Sequence, residues 1–240
     1  MAIAYVFGYG SLIQGDSRRG TVPGAERAWP VEVAGFQREW NYRPRHGPPW
    51  ATYLGLRPRA GAVTNGVIFA VDEHDLVELD RREANYERIR VDPAAIRWLD
   101  DQPEPFADAD AGLPAARSDD EHPNAESKIP GAALELPGAG VLPGVWTYAC
   151  EAGHRPTAEV PLVQGYIDVC VDGCLAIERE FAGLSSFAAD FVRQTVGWSE
   201  HWVNDRGAPR SPRRPVATAA AVDRVLREEL GELVDRRRGE

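Results

Sequence analysis

Apolar and polar positions along this chain change period twice. Residues 2–7 form a short apolar run, and 29–33, 36–42, 51–56 and 66–71 are apolar or alternating stretches separated by Gly, Pro and Asn. Alternation with period two is the pattern of half-buried strands, so the first third predicts a series of short strands, with Thr64-Asn65-Gly66 as a turn before the last of them. The period then lengthens. Asp72 is placed to cap a helix whose third position is Asp75, and Leu76, Leu79 and Glu83 follow at i, i+3 and i+7 on one face. Asn85 ends that helix, and alternation resumes over 86–91.

From 101 to 140 the chain is rich in Asp, Glu, Pro, Ala and Gly and nearly free of aromatics, a composition that predicts a mobile insertion. Another strand is expected over 144–150. A helix over 162–177 would turn Val163, Tyr166, Ile167, Cys170 and Cys174 inward. A second would start after Ser185-Ser186 with Phe187, Phe191 and Val192 inward. A Pro- and Arg-rich stretch, 204–215, precedes a last amphipathic helix bearing Val222, Val225, Leu226 and Leu230.

Composition narrows the partner class. The 240 residues include 43% hydrophobic positions, enough for a sizeable core. A net charge of -10 argues against general binding to nucleic acid or an anionic membrane, so a small-molecule partner is expected. No run reaches transmembrane length, and the N-terminus lacks a basic signal-like region. Three cysteines, Cys150, Cys170 and Cys174, are too few for a disulfide framework and read as buried thiols in a reducing cytoplasm. The histidines, His46, His74, His122, His154 and His201, lie mostly in polar or loop-like settings and suggest neither a Ser-His pair nor a metal triad. His46, beside Gly47-Pro48-Pro49-Trp50, reads as a surface turn. The stretch from Trp202 to Arg206 reads as packing.

The chemistry concentrates where the first strand ends. Phe7-Gly8-Tyr9-Gly10-Ser11-Leu12 is a glycine-punctuated loop, with glycines that permit unusual dihedrals and close approach of a ligand to exposed amides. Successive N–H groups in such a turn suit a carboxylate or a developing oxyanion. A dinucleotide fingerprint is excluded by the missing third glycine and by residues 14–24, which predict no following helix. A P-loop is excluded because no Gly-Lys-Ser/Thr follows.

Glu83 shares the stripe of Leu76 and Leu79, which would point its carboxylate inward. Burial, the negative end of the helix dipole and a shortage of nearby cations would then help it keep its proton and exchange it near neutral pH. Periodicity alone favours the plainer reading, a last polar residue of a fraying helix paired with Arg81, Arg82 or Arg88.

The loop Phe7 to Leu12, followed by Leu79-Asp80-Arg81-Arg82-Glu83 and Tyr86, resembles the gamma-glutamylcyclotransferase-like superfamily (AIG2-like, ChaC-like). The resemblance extends over 2–100 and 144–175. It implies an α+β fold, a small, mostly antiparallel β-barrel flanked by helices, with a domain over 1–175, an insertion at about 101–143 and a helical C-terminal extension over 176–240 packing on the barrel. It further implies conversion of a gamma-glutamyl compound to 5-oxoproline without cofactor or metal, with Glu83 as general acid/base. The substrate-binding positions would be Phe7, Gly8, Tyr9, Gly10, Ser11, Leu12 and Tyr166. Leu12 stands where many members carry Asn. The alternative from another class is a non-catalytic ligand-binding or interaction module of the same fold.

Overall fold

The computed structural model describes residues 3–44, 51–100, 144–151, 153–208 and 218–239. In chain order the strands are β1 (Ala4–Gly8), β2 (Trp29–Tyr42), β3 (Tyr53–Val71), β4 (Glu87–Val91), β5 (Ile96–Trp98), β6 (Val145–Ala149), β7 (Leu162–Val163), β8 (Thr195–Val196), β9 (Trp202–Asn204) and β10 (Arg238–Gly239). The helices are α1 (Gly15–Arg19), α2 (Glu73–Arg82), α3 (Gln164–Glu180), α4 (Phe187–Gln194), α5 (Ala219–Leu230) and α6 (Glu232–Asp235). The insertion expected at 101–143, and His46 and His122, lie outside the described residues.

The main sheet is mixed, in the order β4-β6-β1-β3-β2-β5, with β8 also pairing β2. Strand β1 is antiparallel to β3 and parallel to β6, so it lies in the middle of the sheet with both edges occupied. That position explains its continuous apolar character, since a central strand covered on both faces needs no polar side. A separate small sheet runs β10-β9-β7.

Two expected strand pairs are each one long strand. Residues 29–42 continue through a bulge at Gly35, whose φ of 83° lies in the left-handed region, and β3 runs unbroken for 19 residues. The predicted turn at Thr64-Asn65-Gly66 is therefore absent. Gly66 pairs with Val31 inside the ladder, where an added Cβ would lie 2.6 Å from the Phe7 ring and against the Gly8 carbonyl oxygen. Glycine is present there for close packing, not for turning. Asn65 is buried because its polar atoms are used: its carbonyl and Oδ1 accept from Arg38, and its Nδ2 donates to the Phe187 carbonyl.

The sheet does not close into a barrel, contrary to the expectation. Closure requires one edge strand to pair with the other. Here the outer edge of β2 is already divided at the Gly35 bulge, its residues 31–33 pairing with β5 and 38–39 with β8. The sheet nevertheless curls, since the Cys150 amide beyond β6 donates to the Leu56 carbonyl of β3 at 2.9 Å. The end of β1 and the loop after it sit in the gap between these two arms.

Helix α2 starts as its sequence predicts, with the Asp72 carboxylate accepting from the Asp75 amide at 2.8 Å and Leu76 and Leu79 buried. Helix α3 is buried along most of its length, including Val163 just before it and Tyr166, Ile167, Cys170 and Cys174 within it. Phe187, Phe191 and Val192 of α4 and Val222, Val225 and Leu226 of α5 also face the core. An ionic knot ties the start of α3 to the C-terminal segments. Arg206 bridges Asp168 and Asp223, Arg237 reaches Asp223 and Gln164, and Asp205 accepts from the Gly165 amide. Its consequence is local, for Tyr166 stands one residue beyond Gly165. Among the described residues, no helix is long and apolar enough to cross a membrane.

Candidate active site

Beyond β1 the chain turns sharply, with the Ile13 amide donating to the Gly10 carbonyl at 3.0 Å. Neither Gly8 nor Gly10 has a positive φ, so the expected need for unusual dihedrals is not what places glycine here. Close approach is the reason. An added Cβ would lie 2.8 Å from the Leu12 Cβ at Gly8, and 3.3 Å from the Tyr166 hydroxyl at Gly10. A five-residue helix, α1, does follow the loop, capped by the Gln14 side chain accepting from Ser17, which corrects the expectation that none would.

On the other side stands Glu83, the C-cap of α2, whose amide donates to the Leu79 carbonyl at 2.8 Å. The helix thus stops at Arg82, earlier than Asn85. The Tyr86 amide then donates to the Glu83 carbonyl at 2.7 Å, a tight turn that sends the chain into β4. Glu83 and the glycine loop face one another. Phe7, Tyr9, Gly10, Ser11, Leu12, Glu83 and Tyr166 line a single cavity of about 30 Å³, with Leu54, Tyr86 and Tyr148 completing its wall. Of the residues expected to bind, Gly8 alone is not on that wall; its role is to let Leu12 fold back over the strand end.

The expected shortage of cations around Glu83 is not found. Arg82 Nε lies 3.0 Å from Glu83 Oε1, with the Glu83 side chain only 18% exposed. The same guanidinium donates to Ser11 Oγ at 3.0 Å, to the Ser17 carbonyl at 2.8 Å and to Thr21 Oγ1 at 2.9 Å. One arginine therefore pairs with the carboxylate and ties it to the glycine turn. The plainer pairing considered from sequence is real, but it occurs in the cavity wall, not at a fraying helix end.

Three phenols surround the carboxylate. Tyr9 donates to the Tyr148 carbonyl, Tyr86 to the Leu54 carbonyl and Tyr148 to Asp80 Oδ1, at 2.8, 2.9 and 2.8 Å. Burial, reinforced by the charge of Glu83, pushes Tyr9 and Tyr86 well above the ordinary phenol range. Burial and the bond to Asp80 do the same for Tyr148. All three stay protonated near neutral pH and serve as fixed donors. Tyr166 packs edge-on against Tyr53 and Trp40, with centroids 4.9 and 5.8 Å apart.

Sequence reasoning missed Tyr148 and Leu54 as wall residues, because each reads as one more apolar position of a strand. Nor did it anticipate that Arg38, behind the loop and off the cavity wall, is buried, although its period-two phase with Trp40 was an available signal, since a strand places i and i+2 on one face. Asp72, His74 and Asp75 lie within 4.8 Å of one another, a grouping produced by the helix cap. The three cysteines are free and buried.

The α+β fold and the facing of an acid and a glycine turn can be set beside known proteins. Residues 6–110 match the family model described as gamma-glutamyl cyclotransferase, AIG2-like, in agreement with the resemblance that the two motifs carry. Among solved structures, a gamma-glutamyl cyclotransferase is similar at TM-score 0.50 and 12% identity, over 79% of this chain and 86% of that one. An uncharacterized protein from Homo sapiens gives 0.46 and 11%, over 80% and 87%. A glutathione-specific gamma-glutamyl cyclotransferase from yeast gives 0.38 and 17%, over 81% and 98%. At 12% identity the likeness to the first of these is one of fold. No curated protein matches the sequence significantly.

Proposed function

We propose that this protein is a gamma-glutamylcyclotransferase-type enzyme that closes a gamma-glutamyl amine or peptide to 5-oxoproline and releases the attached amine. The observation that carries the reading is the shared cavity, with a carboxylate on one wall and the glycine turn on the other.

The reaction is intramolecular. The substrate's α-amine, once it has lost a proton, attacks its own gamma-carbonyl, a C–N bond forms to close the five-membered ring, and the C–N bond to the leaving amine breaks. Ring closure brings nucleophile and electrophile together without a second substrate, so the site has only to fold the chain and move protons. Glu83, paired with Arg82, accepts the proton from the α-nitrogen and returns one to the departing nitrogen. The amides of the turn bind an anion of the substrate, either its α-carboxylate or the carbonyl oxygen as it gains charge. The reaction proceeds in the cytoplasm with no resident metal or cofactor.

In this conformation the cavity has room for one or two waters. A gamma-glutamyl group is larger, so side chains of the wall move outward when it binds, and the Tyr166 hydroxyl over Gly10 is the nearest obstruction.

The test is incubation with gamma-glutamyl amino acids, gamma-glutamylamines and glutathione, measuring 5-oxoproline, alongside Glu83→Gln. Loss of about 10²–10⁴-fold in kcat in the variant is expected, the usual scale of general acid/base catalysis. Undiminished turnover in Glu83→Gln would reject the mechanism. Binding without turnover in both proteins would favour a non-catalytic module.

A further inference from the structure

Behind the glycine turn lies a cation with no acid to match it. Arg38 is fully buried, and its five donors are taken up by neutral oxygens. Nε donates to Thr195 Oγ1 at 2.6 Å, Nη1 to the carbonyls of Tyr9 and Asn65 at 3.1 and 2.8 Å, and Nη2 to Asn65 Oδ1 and the Phe191 carbonyl at 2.9 and 2.8 Å. Its guanidinium carbon lies 3.8 Å from the Phe191 ring centroid. Among the described residues no carboxylate pairs with it. Burial lowers its pKa to about 10, which leaves it charged at neutral pH.

Arg18 repeats the arrangement at the far end of the turn. It is 4% exposed and donates to the carbonyls of Leu12 and Ile13, both at 3.1 Å, and of Ala25 at 2.9 Å. An unmatched buried charge is costly, and that of Arg38 calls for an explanation that packing does not supply.

The peptide geometry supplies one. A trans peptide holds its C=O and N–H on opposite sides, so turning the Tyr9 carbonyl to Arg38 turns the Gly10 N–H away from it, and Gly10 and Ser11 are residues that line the cavity. A carbonyl bound to a guanidinium is polarised, and its N–H becomes a stronger donor. Because Arg82 already balances Glu83, the turn keeps a surplus of positive charge in the resting protein. A permanent surplus is best matched by a permanent anion.

We propose that Arg38 is a positioning residue that orients and charges the glycine turn for the α-carboxylate of the substrate, a role that rests on the function proposed above. The carboxylate, arriving with the substrate, restores the charge balance that the chain leaves open, and the gamma-carbonyl is left to the Glu83 side of the cavity.

The experiment compares the best gamma-glutamyl substrate with its α-amide counterpart, in the wild type and in Arg38→Lys and Arg38→Gln. The wild type is expected to prefer the acid by about tenfold or more in kcat/KM, carried by KM, as for a hydrogen bond to a charged group. In the variants this preference falls to about threefold or less. A purely structural role would weaken both substrates alike and leave the ratio unchanged, which overturns the proposal. A loss confined to kcat overturns it too, since it would assign the turn to the oxyanion.

Should neither Arg38 variant fold, Thr195→Val removes one acceptor of the same guanidinium and is expected to shift the ratio in the same direction, by less; an unchanged ratio refutes the role. Should the wild type convert no gamma-glutamyl compound, the proposed function fails first, and calorimetry with 5-oxoproline and its α-amide then decides about Arg38. Preference for the acid that Arg38→Lys abolishes supports the role. No preference in the wild type refutes it.

Discussion

Gly10→Ala separates the cavity from the fold. An added Cβ at Gly10 would lie 3.3 Å from the Tyr166 hydroxyl, 3.5 Å from Leu54 Cδ1 and 3.9 Å from Leu54 Cβ. The first contact is tighter than usual, but its partner is the tip of a side chain, which yields by a few tenths of an ångström at a cost below about 1 kcal/mol. Against this, alanine at a position without positive φ restricts the unfolded chain and gains about 0.4–1 kcal/mol. The two effects nearly cancel. Stability should change by less than about 1 kcal/mol, or roughly 2–4 °C in Tm for a chain of this size. The methyl group, however, fills much of a cavity of about 30 Å³ and stands where a ligand must approach the turn. A displacement on the order of 1 Å at a reacting group is worth about 10²-fold in rate, so 5-oxoproline formation should fall by at least that much. The assays are a thermal melt and the substrate panel, run on the same preparation. Wild-type turnover in Gly10→Ala would refute the assignment of this cavity, and a melting point lowered by ten degrees or more would show that Gly10 serves the fold.

Other consequences can be checked directly. Arg82→Gln, which keeps some hydrogen bonding but removes the charge shared by Glu83, Ser11, Ser17 and Thr21, should lower kcat by about tenfold or more and destabilise the fold by about 1–3 kcal/mol in urea unfolding. Leu79→Ala, at a fully buried position one turn before Glu83, should lose about 2–5 kcal/mol by the same measurement. At high pH, Tyr9, Tyr86 and Tyr148 matter through their raised pKa values. Such groups hold their protons in the folded state after they would release them unfolded, so their contribution is intact below about pH 10 and is lost as pH rises above it. Phenolate absorbance should therefore show these three titrating together with unfolding; gradual titration of every tyrosine in a protein still folded would contradict their burial.

Local patterns were legible in the chain because their causes are local. The Asp72 cap joins residues three apart, the inward stripe of Leu76 and Leu79 follows from 3.6 residues per turn, and the inward faces of α3, α4 and α5 fell on the apolar positions of each period. The two motifs that meet in the cavity could also be named, with Glu83 and the loop from Phe7 to Leu12 in place on its walls or supporting them.

What the linear pattern could not reveal depends on partners far apart in the chain. Gly66 reads as a turn until Phe7 and the Gly8 carbonyl are seen against it, and Asn65 reads as a loop residue until Arg38 and Phe187 occupy its polar atoms. Barrel closure turned on which strand had taken the edge of β2, a competition among distant segments. Arg38 is the extreme case. By residue type it belongs on the surface, and only the assembled strand, turn and helix, each offering a carbonyl or hydroxyl at bonding distance, make a buried guanidinium tolerable. Periodicity assigns a residue to a face, whereas solvation of a buried charge is decided by the neighbours that folding brings to it.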